Sequence, residues 1–336
     1  MTTRRNTLFF GLTAVAVVVL FVCDLLLGST SLAVSDVWHA LFDGGEGEVA
    51  VIVRKFRLPK AVVAVLCGTA LGASGLQMQT LFRNPLAGPY VLGISSGASL
   101  GVALFLMGAP LLGFGTMAFN LGMAGAAWIG AALIFLLIVS VSRRVRDIMV
   151  VLILGVMFGS VASAAVEIMQ YFSTESSVKS YVVWTMGSLG NVTSAQLALM
   201  APVVVAGLVM SVATIKPLNA MMLGEQYAAT MGVNVRRSRL AILISTTLLA
   251  GTVTAFCGPI GFVGLAVPHV VRMATGCADH RVLMPGTILV GAAVMLLCDI
   301  LSKMPASELT LPINTVTALL GIPIIIVVII KGRNLF

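Results

Sequence analysis

Charge is scarce in this 336-residue chain: Asp, Glu, Lys and Arg together make up 10% of it, against roughly one quarter in an average soluble domain. So few ionic side chains cannot cover a water-facing surface, which excludes a soluble globular protein. The five cysteines are scattered without pairing spacing, so a disulfide scaffold is excluded as well. No C-x-x-C or H-E-x-x-H occurs, and His39, His269 and His280 lie far apart, so no metal-ligand cluster is legible. None of the six lysines stands in G-x-x-x-x-G-K-[ST], and the chain therefore lacks a nucleotide-cradling loop of its own. Paired carboxylates and a nucleophile beside a base are also missing, which leaves a membrane-embedded enzyme without support. Gly113, Gly115 and Ala118 spell part of a dinucleotide fingerprint, but no strand precedes them and the match is chance.

What the chain has in abundance is hydrocarbon. Residues of the AVILMFWYC set make up 59% of it, and mean hydropathy is +1.09. A transmembrane helix needs about 20 apolar residues to cross about 30 Å of bilayer core. Ten segments meet or approach that length: 8–28, 60–80, 91–107, 118–140, 147–170, 195–214, 239–257, 262–276, 282–301 and 311–330. The eighth is the shortest and carries Pro268, His269 and Arg272. The first is too long for the core of a signal peptide and no A-x-A site follows, so it is read as an uncleaved span. The fold expected is an all-α polytopic membrane protein, one membrane domain over 1–336.

Orientation follows from lysine and arginine. With the N-terminus inside, fourteen fall in inner loops and six in outer ones, which selects N-in/C-in. The net charge of +8 is thereby explained by topology, with no need for a nucleic-acid partner. Three stretches outside the spans stand out. Residues 29–59 form an outer loop carrying the basic run Arg54, Lys55 and Arg57. Residues 171–194 hold Tyr181 and Trp184, which suit a short helix at headgroup level. Residues 215–238 form an inner loop.

Carboxylates inside spans are expensive and point to function. Glu167 and Asp299 are read as the two that qualify, too few for an ion-driven carrier. Glu167 with Gln170 either faces an aqueous path or snorkels to the outer interface. Gly68 and Gly72, then Gly93, Gly97 and Gly101, recur at four-residue steps that put small residues on one face and let helices approach closely. In the inner loop, Asn219 to Met231 is helix-favouring and amphipathic, broken at Gly224 and ended by Gly232. Two readings fit it: a helix lying in the membrane interface, or a methionine-rich knob for a cytoplasmic partner.

Three strings carry a resemblance: RLPKAVVAVLCGTALGASGLQMQTLFRNPLAGPYVLGISSGASLG at 57–101, LGEQYAATMGVNVRRSR at 223–239, and CGPIGFVGLAVPHVVRMATGCADHRVLMPGTILVGAAVMLLCDI at 257–300. Together they resemble the permease subunits of ABC importers for iron-siderophores, haem and vitamin B12. The resemblance implies ten spans and a dimer with its path at the subunit interface. It also implies two cytoplasmic ATP-binding subunits and a periplasmic or lipid-anchored substrate-binding protein, in the bacterial inner membrane. No cofactor belongs to this chain; ATP and Mg would sit in the partner subunits. The inner loop becomes a pair of coupling helices between spans six and seven, with Leu223, Gly224, Glu225, Ala229 and Gly232 as contacts to the ATPase. Arg57, Lys60 and Lys303 fall at the basic positions that dock the binding protein. Ser142, Glu167, Gln170 and Asn314 become path or gate residues. Where relatives read E-L-P-x-G before the last span, this chain has Thr310, Leu311, Pro312, Ile313 and Asn314, so substrate preference differs or the acidic role has moved to Glu308. A ferric siderophore is the cargo expected, with haem and corrinoid as alternatives; an ion-gradient-driven secondary carrier is the competing class.

Overall fold

The structure, a computed structural model, describes residues 2–28, 32–42, 47–112, 119–142, 145, 147–303 and 310–331. Among them helix is the regular structure throughout. In chain order the helices are α1 (Thr2–Leu26), α2 (Val34–Phe42), α3 (Glu48–Val51), α4 (Leu58–Leu81), α5 (Ile94–Leu112), α6 (Phe119–Ser142), α7 (Ile148–Tyr171) and α8 (Glu175–Thr185). They continue as α9 (Ser194–Ala213), α10 (Ile215–Met222), α11 (Glu225–Thr230), α12 (Val235–Thr246), α13 (Thr252–Cys257), α14 (Val263–Thr275), α15 (His280–Lys303) and α16 (Ile313–Lys331).

Each of the ten apolar segments becomes a helix, the seventh being α12 and α13 joined through a π-helical turn at Thr247–Gly251. Among the described residues seven helices are long and apolar enough to cross a bilayer, while Ile94–Gly108, Val263–Thr275 and Ile313–Val328 are shorter. α14 is the extreme case: its 13 residues rise only about 20 Å at 1.5 Å each. It starts after Gly258 and Phe262, both at positive φ (77° and 65°), where the chain turns sharply. The eighth segment is therefore shorter than a full bilayer crossing.

Two boundaries differ from the sequence expectation. The basic run Arg54, Lys55 and Arg57 lies on a helix, because a π-helical turn at Ile52–Arg57 fuses α3 to α4 into one run from Glu48 to Leu81. α12 begins at Val235, where the Asn234 side chain accepts the Arg237 amide at 3.0 Å as an N-cap, so Arg236, Arg237 and Arg239 ride on the helix. Tyr181 and Trp184 fall on a short helix, α8, as expected, and their side chains are buried at 7% and 9% exposure; α8 packs on α5, the two rings lie 6.2 Å apart, and burial pushes the Tyr181 phenol up.

The chain divides into two compact units. The first comprises Met1–Leu76, Ser188–Ala201 and Ile260–Phe336, the second Gln77–Gly187 and Pro202–Pro259. In lipid, helices gain little by hiding apolar surface from one another, so close backbone packing must hold them. In the first unit, α4 meets α15 at Gly68 and Gly291: a methyl built on either glycine would overlap the carbonyl oxygen of the other. In the second unit, α5 meets α6 through Gly97 and Gly130 in the same reciprocal way, and Gly101 lies against the Ala126 carbonyl. The four-residue glycine steps thus read correctly as contact faces, except that Gly93 (φ 72°) precedes α5 instead of lying within it. Gln77, fully buried in this unit, is satisfied internally. The Gln77 amide donates to Thr214 Oγ1 and its carbonyl accepts from Thr246 Oγ1, both at 3.1 Å.

Candidate functional site

The loop at 215–238 is an elbow of two short helices, α10 and α11, hinged at Gly224 and ended at Gly232. Both glycines sit at positive φ (109° and 82°), where a side chain would be strained. One face is anchored: Leu218, Met221 and Ala228 are buried. The other presents Leu223, Tyr227 and Met231, which are 64%, 55% and 60% exposed. An ion pair helps tie the elbow to α12. The Arg239 guanidinium donates to the Glu225 carboxylate through Nε at 2.6 Å and also through Nη2, the two-pronged geometry that fixes a carboxylate in place.

Ser142, the last residue of α6, joins this region. It lines a cavity of about 410 Å³ together with Glu225, Ala229 and Arg239. Residues assigned from sequence to a gate and to the coupling loop thus share one cavity within the second unit. Leu223 to Tyr227 line a neighbouring recess together with Arg83 and Asp147.

A second recess lies along α7. Ser160, Ser163 and Glu167 line a groove of about 620 Å³ with Tyr90 and Ser96. Glu167 is exposed, whereas Gln170, one turn on, is half-buried and does not line the groove. Asn314 stands in the first unit, where its Oδ1 accepts the Gly261 amide at 3.0 Å and steadies the turn before α14. Glu308 lies outside the described residues.

The basic residues read as docking cations are turned inward. Lys303 pairs with Asp24 at 2.7 Å and with Asp299 at 2.8 Å, and Lys60 pairs with Asp299 at 3.0 Å. Arg57 donates to the carbonyls of Leu25 and Leu26, both at 2.8 Å, capping the exposed carbonyl end of α1. These intrachain partners explain why cations stand where topology disfavours them. Lys60 keeps the most freedom of the two lysines, with 20% of its side chain exposed against 10% for Lys303. The sequence reading missed Asp24. It counted two span carboxylates, yet Asp24 also falls within the first apolar segment and is fully buried; a carboxylate there needs a cation, and that need was the available signal.

Comparison with known proteins gives a single answer. Residues 16–331 match the model of the FecCD transport family. The hemin transport system permease protein HmuU of Yersinia pestis is 34% identical, over 97% of this chain and 96% of that protein. The vitamin B12 import system permease protein BtuC of Citrobacter koseri is 36% identical over 90% of each. Among solved structures, a metal-chelate type ABC transporter in an inward-facing conformation superposes with a TM-score of 0.83 at 28% identity, covering 97% of this chain and 99% of that one. Ten apolar helices, glycine-packed, with an elbow between the sixth and seventh, are thus the architecture of a membrane permease that belongs to the FecCD transport family.

Proposed function

We propose that this ABC-importer permease works as a homodimer, N-in/C-in, in the bacterial cytoplasmic membrane, and passes an iron chelate of the ferric siderophore class inward. ATP hydrolysis takes place in two separate subunits that seat on the α10–α11 elbow; a substrate-binding protein delivers the chelate on the opposite side, near Lys60, Arg57 and Lys303. The cargo follows from what the similar proteins have in common: they are named for hemin, for vitamin B12 and for a metal chelate, each a bulky metal complex. Haem and vitamin B12 are the alternatives to a siderophore.

The elbow is the observation that carries this reading. Three large apolar side chains, Leu223, Tyr227 and Met231, are thrust outward from a mount braced by the Glu225–Arg239 pair. An interfacial helix would need a continuous apolar stripe to lie flat on lipid, and the break at Gly224 interrupts it. A braced knob instead transmits movement as a rigid body. Closure of the ATPase subunits on ATP displaces the elbow, and the adjoining cavity at Ser142 changes shape with it. The energy comes from the partners, and the permease alternates between two access states.

The test is uptake into proteoliposomes holding the permease with or without its ATPase subunits, loaded with ATP, and supplied with the chelate-charged binding protein. Accumulation that requires both ATP and the ATPase is expected. Gly232→Pro, which forces φ from 82° to about −65°, abolishes that uptake while the dimer still assembles. Accumulation driven by a proton or sodium gradient without ATPase subunits refutes the proposal.

A further inference from the structure

α7 is exposed over much of its length, and the exposed side is not uniformly apolar. Ser160, Ser163 and Glu167 follow one another at steps of three and four residues, the spacing of a single helical face, and all three line the groove of about 620 Å³. A carboxylate directed at hydrocarbon is costly, so this face meets water, not lipid tails.

The hydroxyls determine what the water-filled face offers. Ser160 Oγ donates its proton to the Val156 carbonyl at 3.0 Å, and Ser163 Oγ is the donor toward Ser96 Oγ at 3.5 Å. A hydroxyl whose only proton is given to the protein presents lone pairs alone to a ligand. An ionised carboxylate likewise only accepts. Among the described residues lining the groove there is no Lys, Arg or His. Ser160, Ser163 and Glu167 therefore offer acceptors with one negative charge per chain, beside Tyr90 and Ser96, whose hydroxyls can also donate, and in a dimer each copy adds its own.

Resting on the permease reading above, we infer that the Ser160–Ser163–Glu167 face of α7 selects cargo by charge, passing neutral or singly cationic metal chelates and opposing polyanionic ones. Fixed charges along a water-filled path discriminate among ions in this way in other membrane conduits. The cargo class is then a hydroxamate-type chelate or another uncharged metal complex. Tricatecholate chelates and haem with its two carboxylates fall outside it. At about 8 Å and an effective dielectric constant of about 40, between bulk water and a protein surface, one carboxylate changes the passage of a singly charged solute by about five-fold.

The experiment uses the complete transporter in proteoliposomes with ATP inside. Four probes are offered: the ferric complex of desferrioxamine B (singly cationic), ferrichrome (neutral), a ferric tricatecholate (trianionic) and hemin. ATP-driven uptake of a hydroxamate complex is expected, with the tricatecholate and hemin at least ten-fold slower. Glu167→Lys should lower the ratio of cationic to neutral uptake by more than ten-fold, and Ser163→Asp should raise it by about five-fold. ATPase activity of each variant complex confirms assembly, and the two opposite shifts keep the test decisive if one variant fails to fold. Uptake of the tricatecholate or hemin at or above the hydroxamate rate overturns the inference, as does an unchanged cation-to-neutral ratio in the folded variants, while permease function stands. ATP-driven uptake of none of the four probes, nor of cyanocobalamin offered as a fifth, refutes the permease reading and the inference with it.

Discussion

Lys303 is the residue whose removal the structure prices most clearly. Its amine stands 2.7 Å from Asp24 and 2.8 Å from Asp299, and Asp299 has a second cation in Lys60 at 3.0 Å. Asp24 is fully buried, and Lys303 is its ion-pair partner among the described residues. Replacing Lys303 with Met keeps the stem volume and deletes the charge. Asp299 then keeps Lys60, but Asp24 loses the cation it pairs with and is left with the Coulomb attraction of Arg57. Breaking a buried pair from one side costs about 3–5 kcal/mol, most of it the uncompensated partner. If Asp24 is first changed to Asn, the stranded charge no longer exists, and the same Lys303→Met step should cost about 1 kcal/mol, the scale of an ordinary hydrogen bond. The double-mutant cycle therefore has a coupling of about 2 kcal/mol or more. Unfolding of the four proteins by SDS titration in mixed micelles, followed by tryptophan fluorescence, measures it. Lys303→Met costing the same in both backgrounds would mean that Asp24 does not depend on Lys303, and the ion cluster as described would be wrong.

The remaining predictions concern packing and coupling. Gly68→Leu should cost about 3 kcal/mol or more, because its side chain meets the Gly291 backbone and not a movable side chain; loss of the folded peak on thermal size-exclusion analysis checks this, and wild-type stability would contradict it. Tyr227→Ser removes an exposed apolar anchor (55% exposed) and should weaken assembly with the ATPase subunits about ten-fold or more, read by binding of labelled ATPase to permease in nanodiscs. Glu225→Gln leaves Arg239 without its ionic partner and should lower chelate imported per ATP hydrolysed several-fold while hydrolysis continues; an unchanged ratio refutes the bracing role of the pair.

Much of this fold was legible because a bilayer imposes strong rules. Apolar runs of about 20 residues have to be helices, since each backbone group must be satisfied within the segment, and all ten runs became helices. Small-residue periodicity also survived, as Gly97 against Gly130 illustrates. The elbow was readable from Gly224 and Gly232, whose positive φ ends helices. What the sequence concealed is tertiary. The π-helical turn that carries Arg57 onto a helix has no composition signal, and the inward burial of Tyr181 and Trp184 depends on α5 packing beside them.

The carboxylates make the point most sharply. By sequence, Glu167 and Asp299 are alike: each is a lone acid near the end of an apolar run. Their surroundings separate them completely. Asp299 is 1% exposed between two lysines, so its charge is spent on holding α15 to the start of α4 and, through Lys303, to α1. Glu167 faces an open groove, so its charge acts on whatever passes. A neutral replacement tells the two apart. Asp299→Asn leaves Lys60 and Lys303 short of one anion and should cost about 3 kcal/mol of stability, with little change in cargo preference among the molecules that remain folded. Glu167→Gln should leave stability within about 0.5 kcal/mol, as expected of an exposed position, and shift the ratio of cationic to neutral uptake. Paired measurement of unfolding and of uptake ratio on both variants decides the matter: if the two effects are exchanged, or if both acids behave alike, then burial does not distinguish the structural acid from the one on the path.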